Sequence, residues 1–163
     1  MPKIYDGTTG VLKDSDGLAY ANCKTAVLNA PYSVSQAYTI FAATAFDDPF
    51  QRIVGGSPDL SLNGTPNLRF SAGTLLTGTS TVTYNQRHIF TALGNGTNSA
   101  IWYDGNVEAT GDAGTNVAGG TIFTRSNASS GTPRAYEFII YDSDQSSNRT
   151  NIEDNINTFY SIY

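Results

Sequence analysis

The sequence predicts an all-β chain, a two-sheet sandwich or a barrel, with one C-terminal helix. Gly, Ser, Thr and Asn supply 16, 15, 20 and 14 residues of 163; Thr favours strands while Gly and Asn favour turns. Short β-prone runs recur between turn clusters. Only the end of the chain changes to a helical spacing.

The runs justify the strands in order. Residues 37–46 read Ala-Tyr-Thr-Ile-Phe-Ala-Ala-Thr-Ala-Phe. Tyr38, Ile40 and Ala42 face one way and Thr39, Phe41 and Ala43 the other. Both sides are largely apolar, which places this strand centrally. Further strands are predicted over 51–54, 67–71, 74–77, 81–84, 87–93, 99–104, 107–110, 121–125 and 134–141. Gly55-Gly56-Ser57-Pro58, Asn63-Gly64, Asn95-Gly96, Asp104-Gly105 and Gly119-Gly120 read as the turns between them. Asp104-Gly105 is a hairpin signal, because a type I′ turn needs positive φ at both central residues. After Tyr141, Ile152, Ile156, Phe159, Tyr160 and Tyr163 follow at helical spacing. The helix is predicted from Ser146 or Thr150 to Tyr160, with Thr150 and Glu153 as a capping box. Asn and Asp between 151 and 157 argue against a terminal strand.

Composition excludes several function classes. Charged residues are 14% of the chain, against roughly 25% in a typical domain. The formal net charge of −5 leaves no basic surface for nucleic acid. No apolar run approaches the length of a membrane span, so membrane insertion is not expected. Cys23 is the single cysteine, which rules out an intrachain disulfide framework. The start of the chain lacks the apolar core of a signal peptide. The chain reads as one domain, 1–163.

Catalytic patterns are sparse. His88 is the one histidine and reads as structural or incidental. Gly55-Gly56-Ser57-Pro58-Asp59 fails the nucleophile-elbow pattern at its last position. Glu137 and Asp142 fall on opposite faces of a continuous strand, so they do not form a simple glycosidase pair. Glu137 reads as a solvated residue on an outer face. Asp14-Ser15-Asp16-Gly17 and Asp142-Ser143-Asp144 read as Asx-turns in preference to calcium loops. No metal, cofactor or catalytic residue is expected. The aromatics are more suggestive: Tyr rings beside Asn, Thr and Asp supply stacking and hydrogen bonds for a sugar. Tyr20, Tyr32, Tyr84 and Tyr103 are the candidate ligand-binding residues. Trp102 and Tyr103 are neighbours on one strand and point to opposite sides.

The closing segment carries a resemblance. Arg134-Ala135-Tyr136-Glu137-Phe138-Ile139-Ile140-Tyr141, leading into Asp144-Gln145-Ser146-Ser147-Asn148-Arg149 and the helix, resembles the end of LamG-like domains. These are concanavalin A-like lectin/glucanase sandwiches, here similar to versions in Bacteroidetes bacteria and their phages. Residues 38–43 and 98–105 resemble an early core strand and a later strand with its hairpin. Residues 2–6 resemble a passage that usually has more domain before it, so an N-terminal strand or two would be missing or supplied by another subunit. The resemblance implies a jelly-roll-like antiparallel β-sandwich with one C-terminal helix. It carries no catalytic residues, and the fold serves lectins, enzymes and structural modules alike.

The resulting expectation is a bacteriophage virion surface protein: a spike, fibre-tip or decoration subunit that binds host-surface glycans. Its partners would be other virion proteins and copies of itself, a homo-oligomer with a trimer favoured and a pentamer as the second possibility. The alternative is a carbohydrate-binding module of a bacterial surface protein or of a glycan-active enzyme.

Overall fold

A computed structural model describes residues 13–22, 28–62, 64, 66–125 and 134–163, with side chains at 22, 28–32, 57, 120, 121 and 123–125 left aside. Twelve strands and one α-helix follow in chain order: β1 Ala21–Asn22, β2 Leu28–Val34, β3 Tyr38–Ala45, β4 Gln51–Ser57, β5 Asp59–Ser61, β6 Asn67–Ser71, β7 Leu75–Thr81, β8 His88–Gly94, β9 Ser99–Tyr103, β10 Asn106–Gly111, β11 Ala118–Arg125, β12 Arg134–Tyr141 and α1 Arg149–Tyr160. The first sheet runs β1-β12-β3-β8-β9-β10 and the second β2-β11-β4-β5-β6-β7. Their strand pairs are antiparallel. The molecule is a jelly-roll-like β-sandwich with a C-terminal helix.

The main core lies between the sheets. Ile40, Ala42 and Phe90 of the first sheet meet Val54, Leu60, Leu68 and Phe70 of the second. β3 is buried along its whole length because its other side is covered too. There Phe41, Ala43 and Ile89 pack against Ile156 and Tyr160 of α1. The strand is central, between β12 and β8, as its two apolar sides require. Trp102 and Tyr103 do part: Tyr103 packs toward the main core, and Trp102 lies on the helix side beneath Arg149.

The Asp104-Gly105 hairpin forms as expected. Asp104 has φ 47° and Gly105 φ 77°, joining β9 to β10. The two Gly-Gly segments are not turns. Gly55, Gly56 and Ser57 continue β4, and they pair with Thr121, Gly120 and Gly119 of β11. Gly56 faces Gly120 across adjacent strands, and its φ of 115° is a backbone conformation that glycine takes up inside a strand as readily as in a turn. β11 therefore begins at Ala118, three residues before the predicted start. The expected strands at 74–77 and 81–84 become one, β7; 82–84 leave it, with Val82 buried as an anchor. β1, β2 and β5 were missed; β5 is three residues long, too short for a period to show.

The helix matches its predicted end and starts at Arg149, but the capping box does not form. Glu153 turns inward, accepts a hydrogen bond from Thr91 Oγ1 at 2.6 Å and pairs with Arg149. Its residue is 2% exposed, so the buried carboxylate serves the helix–sheet contact instead of the helix N-terminus. Phe159 leaves the apolar stripe and is 65% exposed.

Facing edges of the two sheets are pinned across the sandwich. β10 edges the first sheet and β7 the second. Buried Glu108 of β10 accepts the backbone N–H groups of Thr79 and Ser80 at 2.9 and 2.8 Å. Gly78 leaves the room: a Cβ there would lie 2.9 Å from Glu108 Oε2.

Candidate functional site

A cleft of about 280 Å³ opens where β12 and β8 begin and α1 ends, and Asp14, Asp16, Asn85, Arg87, Arg134 and Tyr136 are among its lining residues. Each is placed by a local rule. Asp14 opens a tight loop: its Oδ1 accepts the N–H groups of Asp16 and Leu18, both at 3.0 Å. This is the Asx-turn expected from Asp14-Ser15-Asp16-Gly17. At the second segment the Asx-turn is one step further on, with Asp144 Oδ1 accepting from Ser146 N–H at 2.8 Å. Asn85 adopts φ 62° in the loop before β8, a conformation asparagine tolerates. Arg134 and Tyr136 stand two apart at the start of β12.

Arg87 knots the cleft together. It donates from Nη1 to Asp14 Oδ2 at 2.7 Å and pairs through Nη2 with Asp16 Oδ2 at 2.6 Å. Tyr136 donates its hydroxyl to Asp14 Oδ2 at 2.9 Å. Burial opposes ionisation of Asp14, but hydrogen bonds from Leu18, Tyr136, Arg87 and Asp16 outweigh it and hold the carboxyl below its ordinary value. Burial and the neighbouring Asp14 push the Tyr136 phenol up to about 12. Tyr136 is thus a neutral donor and Asp14 a fixed carboxylate at neutral pH. Tyr20 and Tyr160 flank the Tyr136 ring, at centroid distances of 6.0 and 5.8 Å.

The resulting surface offers a Tyr ring, two side-chain amides at Asn85 and Gln86, the exposed Asp16 carboxylate and the Arg134 guanidinium. Among the described residues, the Arg134 guanidinium has one long bond, Nη2 to Asn85 Oδ1 at 3.4 Å, which leaves it donors for a ligand. Asp14, Asp16, Arg87 and Arg134 balance in charge. Pre-set polar groups around a ring suit an uncharged, hydroxyl-rich ligand.

The four candidate tyrosines separate. Tyr20 borders the cleft through its contact with Tyr136. Tyr32 lies on β2, with its side chain outside the described residues. Tyr84 is half-buried against the main core, and burial together with the Asp48 charge raises its phenol. Tyr103 stacks on Phe90 at 5.5 Å, and its hydroxyl lies 3.2 Å from His88 Nε2. These last two contacts are interior packing.

His88 is structural, as expected, though not incidental. It is 5% exposed; Nδ1 sits 2.7 Å from Asp104 Oδ2 and Nε2 2.8 Å from Thr83 Oγ1. Asp104 Oδ1 also accepts the Ile89 N–H at 2.8 Å, so the knot ties the β9–β10 hairpin to β8. Glu137 is half-buried instead of solvated, and burial raises its carboxyl.

Arg87, Arg134 and Tyr136 escaped the sequence reading. The available signal was the spacing of two between Arg134 and Tyr136, which puts a cation and an aromatic ring on one face. Asp14 and Asp16 stand at the same spacing, but nothing local shows that both turn to Arg87, distant in the chain.

No family model matches the sequence, and no curated protein matches it. Among solved structures, the chain is similar to Trypanosoma rangeli sialidase in complex with sialic acid: TM-score 0.51, 12% identity, 82% of this chain and 26% of that one. It is also similar to the carbohydrate binding module CBM66 from Bacillus subtilis (0.49, 8%, 76% and 95%) and to an alginate lyase of polysaccharide lyase family 7 (0.46, 14%, 82% and 82%). The chain spans about a quarter of the sialidase. At these identities the likeness establishes the β-sandwich alone.

Proposed function

We propose that this chain is a non-catalytic, glycan-binding β-sandwich carried on the surface of a bacteriophage virion as a spike, fibre-tip or decoration subunit. The observation that carries glycan binding is the end cleft, where Tyr136, Asn85, Gln86, Asp16 and Arg134 surround one hollow. Binding without catalysis is part of this reading, and the release of reducing sugar is the measurement that tests it.

The virion placement is the finer part of the proposal. It is supported by the resemblance of residues 134–160 to LamG-like domains of Bacteroidetes bacteria and their phages. A homo-oligomer, trimer favoured, suits a shallow site, because several copies raise apparent affinity by roughly 10² to 10⁴.

A host-glycan array, read with wild type and Arg134→Gln, tests the binding. Signal on surface glycans that falls in the variant, with no release of reducing sugar, is expected. Sugar release would overturn the non-catalytic reading. Light scattering reads the assembly, and a clean monomer that binds host cells tightly overturns the oligomer. Mass spectrometry of purified virions reads the placement.

A further inference from the structure

The outer face of the second sheet carries a cation with no partner among the described residues. Arg69 of β6 makes no ion pair and no hydrogen bond with any described residue, yet it is only partly exposed. It lines a shallow hollow of about 270 Å³ with Gly56, Asp59, Ser61, Ser71 and Leu75. Strand register builds this hollow. Arg52 pairs in register with Ser61, and Ser61 with Arg69, so the three form one row across β4, β5 and β6. Asp59 and Ser71 form the next row, and Leu75 sits opposite Ser71. With strands about 4.8 Å apart, the two arginines stand roughly 10 Å apart with a serine between them.

The neighbouring ion pair is incomplete. Arg52 Nη1 approaches Asp59 Oδ2 at 3.5 Å, while Arg52 Nε and Asp59 Oδ1 have no hydrogen-bond partner among the described residues. Buried polar atoms are normally satisfied, so orphans beside an unpaired guanidinium mark a surface with hydrogen-bonding capacity left over. Arg52, Arg69 and Asp59 sum to a local charge of +1 on a chain of net −5.

We propose that this face is a second binding site, distinct from the end cleft, for a sugar ring bearing an anionic group. The Arg69 guanidinium takes the anion in a two-point contact. Ser71 meets a ring hydroxyl, and the exposed Leu75 lies against the apolar face of the ring. A carboxylate and a sulfate ester offer the same chemistry to Arg69, and the test separates them. The inference is independent of the cleft, because none of its residues lines that site.

Affinity electrophoresis in native gels decides it, with polygalacturonate as the carboxylate polymer, dextran sulfate as the sulfated one and dextran as the neutral one. Both charged polymers repel an acidic protein, so retardation reads a local site and not net charge. Wild type should be retarded by one or both charged polymers and not by dextran; whichever retards names the anion. Arg69→Gln should weaken that retardation about ten-fold or more, and Arg69→Lys should keep part of it. Lys13→Gln removes the same charge elsewhere and should leave it intact. An unchanged melting temperature in Arg69→Gln keeps the result interpretable. Equal retardation by dextran, no retardation by any polymer, or an Arg69→Gln protein that behaves as wild type overturns the proposal. Loss of array binding in Arg134→Gln, with the polymer result intact, would bear on the end cleft alone.

Discussion

β3 and β6 each have a pairing strand on both sides, yet their sequences differ in kind. β3, Tyr-Thr-Ile-Phe-Ala-Ala-Thr-Ala, is buried at every position. β6, Asn-Leu-Arg-Phe-Ser, alternates half-buried and buried. The difference lies in what covers the outer face. Over β3 that face lies under α1, so Phe41 and Ala43 need apolar neighbours. Over β6 the outer face carries Asn67, Arg69 and Ser71, which can hold water or a ligand. Among the described residues, the outer face at β3 is packed under the helix, and the outer face at β6 carries polar side chains that no helix covers.

The helix-covered face should break first. Ile156 is 2% exposed beneath the helix, and Ile156→Asp would bury an unpaired charge there. The expected cost is about 3–5 kcal/mol, seen as a large fall in melting temperature. Ile152→Asp should cost less, because Ile152 is half-buried and can turn its carboxylate toward water. Equal melting of both variants and wild type would show that α1 does not hold this face.

That contrast also explains what the sequence disclosed. A strand covered on both sides is apolar throughout, so 37–46 gave its position from composition alone. The Ile152, Ile156 and Tyr160 spacing disclosed the helix. The Gly-Gly pairs misled because glycine takes up a positive φ in a turn and within a strand equally, and only the partner strand decides. The end cleft was hidden for a related reason. Asp14 and Tyr136 are 122 positions apart, and their bond exists only once β12 has been brought beside the loop. The residues were ordinary in sequence; the fold made them a site.

The joint between the two sheets should be the next most sensitive. Gly78→Ala would drive Cβ against Glu108 and displace the carboxylate from the Thr79 and Ser80 N–H groups. Glu108→Gln would keep the shape and lose the charge. Losses of about 1–3 kcal/mol for the alanine and less for the glutamine are expected in urea unfolding. If the alanine variant were as stable as wild type, the Glu108 bridge would not close this side of the sandwich.

The end cleft should show itself through pH. Asp14 is held below its ordinary value of 3.8. Its contribution is present above that value and disappears as pH falls through the lower, folded value. The melting advantage of wild type over Asp14→Asn should therefore vanish in strong acid and persist at pH 7. Tyr136 and Tyr160 sit at about 12, against an ordinary 10.0. Their contribution is complete below pH 10 and is lost between about 10 and 12, so melting should fall over that interval. Tyr136→Phe should flatten the alkaline fall, and an unaltered profile would mean the Tyr136 hydroxyl is not sheltered.

The smallest effect lies on the outer face of β6, and it tests the comparison most sharply. Arg69 and Phe70 are adjacent in β6, so backbone and strand pairing are common to both. Phe70 is fully buried among Val54, Leu60 and Leu68. Phe70→Ala should cost about 3–5 kcal/mol, because it leaves a cavity in close-packed surroundings. Arg69 has neither ion pair nor hydrogen bond within the described residues to lose. Arg69→Ala should stay within about 0.5 kcal/mol of wild type in urea unfolding, the range of surface changes away from special features. A cost above about 1 kcal/mol at Arg69 would mean that its side chain holds the sheet together, and the second sheet's outer face would then be a structural surface like the first.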